Sequence, residues 1–257
     1  MNLLYALCAS LALNGVFFIF AALLRTDVFT DITYSLSFVL LTAGLYLFSQ
    51  NHGAAQIAVS AMVVLWGLRL GGYLFNRILR IKVDHRFDDK RDNPVRFGMF
   101  WLLQAVTVWV VMLPVYGILS VPAGVEPPAW ALAVSVAGFL AGFLAEAVAD
   151  AQKYRFKTDE ANRGKFMKGG LWAWSRHPNY FGEMLLWWAI SFPGLFVFRG
   201  AEYFYFLGPL FITLLIRFVS GVPLLEKAAD GKWGDSEEYR AYKKNTPLLV
   251  PRPPRRG

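Results

Sequence analysis

Long apolar runs alternate with short polar stretches along the whole chain. A helix rises about 1.5 Å per residue, so crossing a hydrocarbon layer of ~30 Å takes roughly 20 mostly apolar residues. Seven stretches fit that pattern: Leu3–Leu24, Ile32–Phe48, Ile57–Leu79, Phe97–Val121, Trp130–Ala149, Tyr180–Phe198 and Tyr203–Val222. The pattern predicts an all-α polytopic membrane protein with about seven transmembrane helices. The first residues lack the basic start and small-residue cleavage site of a secretory leader, so Leu3–Leu24 reads as a retained span.

The loops supply a second, independent signal. Ser49–Gln56 and Pro122–Ala129 hold no Lys or Arg, and the turn after the sixth span holds only Arg199. Arg77–Arg96, Asp150–Asn179 and the tail after Glu226 are rich in both. With seven spans the two sets fall on opposite faces, which predicts an N-terminus outside and basic loops and C-terminus in the cytoplasm. Of the 257 residues, 56% are hydrophobic and 16% aromatic, more apolar surface than a soluble domain of that length needs. The net charge of +8 therefore reads as loops touching lipid headgroups, and no nucleic-acid partner is expected. The one cysteine, Cys8, rules out an intrachain disulfide and a cysteine-cluster metal site. No H-E-x-x-H pair calls for metal, and neither a Walker loop nor a G-x-G-x-x-G follows a predicted strand. No internal repeat of the transporter kind is visible. The Pro- and Arg-rich end of the tail is expected to lie loosely on the membrane surface.

Ionisable groups inside apolar runs are costly and normally face a partner or a cavity. In the third span Trp66, Arg69, Tyr73 and Arg77 recur at spacings of three and four, which puts them on one helix face. Asp27, Asp31 and Tyr34 make a similar face at the start of the second, where Asp27 also suits a helix cap. Glu146, Asp150, Lys153 and Lys157 run down one side of the helix leaving the fifth span. The order, two carboxylates and then two ammonium groups, suits an elongated nucleotide, although ordinary intrahelical ion pairs would use the same spacing. Arg176, His177, Asn179, Tyr180 and Glu183 crowd the mouth of the sixth span, after Trp172 and Trp174. A helix N-terminus there would add backbone donors and a positive dipole end, which suggests an anionic ligand. Arg217 in the seventh span can snorkel towards the cytoplasm, and Glu226 follows as the chain leaves the membrane.

Asp150-Ala-Gln-Lys, Phe156-Lys157, Gly169-Gly170-Leu171-Trp172 and Ser175-Arg-His-Pro-Asn-Tyr-Phe-Gly-Glu183 together resemble the C-terminal half of the steroid 5α-reductase and sterol C14-reductase superfamily. Glu238-Tyr239 to Tyr242, followed by Thr246-Pro247, looks like its terminal signature. The likeness covers the last hundred or so residues well and the first half loosely. The R-H-P-x-Y core is also shared with isoprenylcysteine carboxyl methyltransferases. The resemblance implies a single membrane reductase domain over residues 1–257, with substrate-side helices in 1–129 and a cofactor-binding half in 130–257. It implies NADPH in a cytoplasm-facing cavity, an isoprenoid or steroid lipid substrate, and reduction of a carbon–carbon double bond. A bacterial inner membrane and a monomer are the matching expectations. Glu146, Asp150, Lys157, Lys165, Asn179 and Glu183 match cofactor-contacting positions, with Tyr73 and Glu226 as further additions. The glutamine–glutamate pair and following tyrosine of animal steroid reductases are missing, and Asp31 or Tyr34, and Trp66, stand there instead. Lysines at 157 and 165 keep the family's charge without its bidentate geometry.

For a conjugated enone, Tyr34 or Tyr73 is expected to hydrogen-bond the carbonyl oxygen, with Asp31 and Arg69 setting its proton affinity. Lys153, Lys157, Lys165, Trp172, Arg176, His177, Asn179, Tyr180 and Glu226 are expected at the cofactor. An S-adenosylmethionine-dependent methyltransferase is the alternative enzyme, although its cofactor has no phosphate for Lys153, Lys157, Lys165 and Lys168 to meet. A lipid or ion transporter is the alternative without catalysis.

Overall fold

The computed structural model describes residues 3–24, 26, 28–81 and 93–254. Asp27 and the loop 82–92 lie outside them, as does the side chain of Arg77. The described residues are helical, with no strand among them. The α-helices are α1 (Leu3–Leu23), α2 (Val28–Leu47), α3 (Ala54–Ile81), α4 (Pro94–Val111), α5 (Leu113–Leu119), α6 (Ala129–Thr158), α7 (Pro178–Ser191), α8 (Gly194–Val197), α9 (Leu207–Leu214), α10 (Val222–Trp233) and α11 (Glu237–Asn245). Six helical runs are long and apolar enough to cross a membrane, and α4 with α5 makes a seventh, bent by 44°. The chain is thus all-helical and of polytopic membrane type.

Two expected spans are not single rods. The fourth breaks at Met112, and Pro114, which has no amide hydrogen, lies in the first turn of α5. The seventh begins as a 3₁₀ turn (Gly200–Phe206), continues as α9, and passes through a π-helical stretch (Leu215–Val219) before Ser220 and Gly221. Single π turns of this kind concentrate at functional sites. The fifth span runs past its apolar part, because α6 continues as one helix through Asp150 and Lys153 to Thr158.

Two compact units divide the chain: residues 1–132 with 190–208, and residues 133–189 with 209–257. In the first, α1 packs along α4 and α2 along α3. Buried amides join the helices: Gln104 Nε2 donates to Asn14 Oδ1 at 3.0 Å, and Asn14 Nδ2 to Ser37 Oγ at 3.3 Å. Such bonds supply cohesion where lipid gives helices no hydrophobic drive to associate.

In the second unit α6 and α7 meet along small residues. A Cβ on Gly142 would stand 2.7 Å from Gly182 O, and one on Gly182 would stand 2.7 Å from Glu146 N. Ser135 Oγ donates to Ala189 O at 2.7 Å further along the same seam. The backbones therefore approach as closely as glycine allows, and the seam leads directly to Glu146, Asp150 and Asn179.

Candidate functional site

The end of α6, the connection 159–177, and α10 with α11 line a cavity of about 260 Å³. Lys153, Lys157, Lys165, Lys232 and Arg176 line it among Phe156, Phe166, Trp172, Trp233, Tyr239 and Tyr242. A larger cleft of about 870 Å³ shares Phe156, Lys165, Phe166, Met167 and Trp233 with it, and adds Arg155, Asn162, Lys168 and the backbone of Gly164, Gly169 and Gly170. The pair is basic and aromatic.

Local chemistry explains why the connection folds this way. Asp159 caps a 3₁₀ turn by accepting from Ala161 N–H at 2.9 Å. Gly164 and Gly170 have φ of +83° and +60°, a region that favours glycine. Gln152 of α6 accepts from Leu171 N–H at 3.0 Å, and Trp172 Nε1–H donates to Ala149 O at 3.1 Å. Lys153 Nζ sits 4.4 Å from the Trp172 ring centre, a cation–π distance. Phe166 is packed against Tyr239 and Tyr242 at ring-centre distances of 5.2 and 5.4 Å.

The tail closes the other side and is not loosely held, contrary to its composition. Arg176 N–H donates to Pro247 O at 2.9 Å and Arg252 N–H to Trp174 O at 3.0 Å. Ser175 Oγ donates to Leu249 O at 2.8 Å, and Tyr242 OH to Trp172 O at 2.7 Å. These bonds satisfy backbone groups on both strands of chain, which is why a Pro-rich segment stays put.

Glu226 of α10 organises the charges. One carboxylate oxygen takes Arg176, and the other lies 2.8 Å from His177 Nε2. Lys243 of α11 reaches Glu226 at 3.4 Å and Asp230 Oδ2 at 2.7 Å. Burial lowers the His177 pKa, and its hydrogen bond to Glu226 opposes that without reversing it. Burial and the nearby Glu226 and Asp230 carboxylates push the Tyr239 phenol up to about 12. The His177 and Tyr180 rings stack at 5.8 Å. Asp150 is buried and accepts from Asn179 Nδ2 at 3.2 Å, and Glu146 is buried one turn earlier. Arg176 Nε, His177 Nδ1 and Asn179 Oδ1 are buried polar atoms with no partner among the described residues.

Of the expected cofactor residues, Lys153, Lys157, Lys165, Trp172, Arg176, His177 and Glu226 line this one cavity. Asn179 and Asp150 are joined beside it, whereas Glu146, Tyr180 and Glu183 belong to the helices without lining it. Asp31 and Tyr34 on α2, and Trp66, Arg69 and Tyr73 on α3, belong to the first unit. There Phe38 bridges Tyr34 and Trp66 at ring-centre distances of 5.1 and 5.0 Å, and Arg69 lies over Tyr73 at 5.9 Å. Gln152, Phe166, Trp233, Lys243 and the Gly142–Gly182 seam were not foreseen as site-building. Glycines four apart in Gly138-Phe-Leu-Ala-Gly142 were the available signal for the seam. Among the described residues no cluster of His, Cys, Asp and Glu suits a metal ion.

The chain belongs to the family described as protein of unknown function (DUF1295), whose model matches residues 17–246. That family is related to steroid 5α-reductase-like membrane proteins. No curated protein and no solved structure matches the chain.

Proposed function

We propose that this DUF1295-family membrane protein is an NADPH-dependent reductase of a carbon–carbon double bond in a lipid enone, most simply the 4,5 double bond of a 3-keto-4-ene steroid. One observation carries the reading: a single cavity gathers Lys153, Lys157, Lys165 and Arg176 among aromatic walls. That is the chemistry of a phosphorylated, ring-bearing ligand. Buried, unpartnered polar atoms at Arg176 and His177 support a ligand with polar groups of its own. The lysines would hold phosphate, Trp172 and Phe166 would pack against ring faces, and the connection 159–177 would shield the site from water. Bound there, NADPH would supply the hydride that adds at the β-carbon of the enone. Tyr34 or Tyr73 would donate a hydrogen bond to the enone oxygen, where negative charge develops, with Asp31, Trp66 and Arg69 shaping that region. A preorganised donor of this kind is worth about 3 kcal/mol of barrier when water is excluded. The excess of Lys and Arg in this part of the chain supports a cytoplasm-facing cofactor site in an inner membrane.

S-adenosylmethionine has no phosphate, so as cofactor it would leave the lysines without a counterion. Thermal unfolding of the purified full chain separates the two. Saturating NADPH, at about 100 times its dissociation constant, should stabilise the protein by about 2.7 kcal/mol, with no shift from S-adenosylmethionine. The opposite pattern would replace the reductase reading with the methyltransferase one. Enone-dependent oxidation of NADPH then tests the reaction itself.

A further inference from the structure

His177 has one ring nitrogen assigned and the other open. Nε2 lies 2.8 Å from Glu226 Oε1, while Arg176 and Lys243 take the other carboxylate oxygen. A carboxylate held by two cations is ionised and can only accept, so the shared hydrogen belongs to Nε2. Burial keeps the imidazole neutral near pH 7, with Glu226 of α10 pulling one way and Lys153 of α6 and Arg176 the other. A neutral ring with its hydrogen on Nε2 carries a lone pair on Nδ1. That atom is buried, has no partner among the described residues, and belongs to a side chain 6% exposed in the cavity wall. An unpaired buried acceptor is costly unless a ligand supplies a donor. Arg176 Nε–H, on the preceding residue, is likewise a buried donor with no partner among the described residues.

We infer that His177 Nδ1 accepts a hydrogen bond from an amide N–H or sugar hydroxyl of the nucleotide, and that Glu226 is a positioning residue that fixes the tautomer. The inference rests on the nucleotide reading above. A primary amide or a hydroxyl can donate to His177 Nδ1. A phosphate only accepts and would confront the Nδ1 lone pair. Phosphate recognition therefore falls to Lys153, Lys157 and Lys165, and the mouth of α7 reads a neutral polar group, not the anion that its sequence suggests.

Two substitutions separate the ring nitrogens. His177→Gln puts an amide donor where Nε2 sits, keeping the bond to Glu226 but leaving nothing in place of Nδ1. His177→Asn does the reverse. Binding to the full chain in detergent micelles is read by tryptophan fluorescence, with NADPH, its 3-acetylpyridine analogue, which has a methyl group for the amide NH₂, and S-adenosylmethionine. His177→Gln should weaken NADPH by about 5–10-fold while His177→Asn stays within about 3-fold of wild type. If the donor is the amide, the analogue binds wild type weakly and loses nothing further in His177→Gln. If it is a hydroxyl, the variant weakens both ligands equally. His177→Gln binding NADPH as tightly as wild type overturns the inference. Should wild type bind S-adenosylmethionine and not NADPH, the nucleotide reading fails alone, provided that His177→Gln weakens S-adenosylmethionine by a similar factor; binding of neither sinks both. Ring nitrogen-15 resonances of the ligand-free protein, assigned by difference with His177→Gln among its three histidines, should show the Nε2–H tautomer near neutral pH. An Nδ1–H tautomer contradicts the inference without reference to any ligand.

Discussion

Replacing Gly182 by alanine puts a methyl group into the seam that sets α6 against α7. The new Cβ would stand 2.6 Å from Gly142 O, 2.7 Å from Glu146 N and 3.0 Å from Glu146 Cβ. Two of these are backbone atoms, so no side chain can swing away. Restoring ordinary contact of 3.4 Å to Gly142 O requires the helices to part by about 0.8 Å. Overpacking of this kind costs about 1–3 kcal/mol, and the backbone contacts place Gly182→Ala towards the upper end. Alanine returns about 1 kcal/mol through helix propensity. The net is a loss of about 2 kcal/mol, or a fall in melting temperature of about 4–8 °C for a chain of this size. Gly72→Ala is the control, because a Cβ there meets nothing within 4 Å, and it should leave stability unchanged or improved. The separation also stretches the 3.2 Å bond from Asn179 to Asp150, so NADPH affinity should fall in Gly182→Ala and not in Gly72→Ala. Thermal unfolding in detergent, with and without nucleotide, reads both effects. A Gly182→Ala protein that melts at or above wild type would refute the close-packed seam.

Glu226→Gln leaves Arg176 facing a neutral amide in a largely buried place while Lys243 keeps Asp230, and losing a charged hydrogen-bond partner there costs about 2 kcal/mol. Chemical unfolding of Glu226→Gln, Arg176→Gln and the double variant should reveal strong coupling, and additive losses would contradict it. The His177 pKa lies below its ordinary value of 6.5 through burial, so the unfolded chain takes a proton that the folded chain resists. Its contribution to stability should be whole above about pH 6.5 and shrink as the pH falls through that value. Unfolding between pH 8 and 5 should then be steeper for wild type than for His177→Gln, and equal slopes would count against a buried neutral histidine. Tyr34→Phe or Tyr73→Phe, whichever removes the carbonyl donor, should lower kcat by about a hundredfold with NADPH affinity intact. If neither does, the donor lies elsewhere.

The membrane-crossing architecture was legible because an apolar run of span length has few other fates in a chain this hydrophobic. Hydropathy does not register where such a run bends. The fourth span breaks beside Pro114 and the seventh winds into a π turn ahead of Gly221 with no change in apolar character. Lysines 153, 157 and 165 stood out because charge is rare among so many apolar residues, and they do share a cavity. Phe166 did not, and Tyr239 and Tyr242 stood out as a terminal signature and not as walls of this cavity, since their meeting with Phe166 depends on the tail folding back onto 174–177 through backbone hydrogen bonds. The same folding back explains why the Pro-rich tail, which reads as loose, is pinned as far as Arg252. The cluster at Arg176, His177 and Asn179 was visible as a cluster, but its polarity was not. Only the pairing of His177 and Arg176 with Glu226 reveals which atoms remain open.

Nucleotide binding by the full-length protein tests the central claim most directly. Fluorescence titration of the purified chain should give saturable binding of NADPH, weakened at least tenfold when Lys157 and Lys165 are both changed to Gln, with no binding of S-adenosylmethionine. Saturable binding of S-adenosylmethionine that ignores those lysines, with none of NADPH, would contradict it.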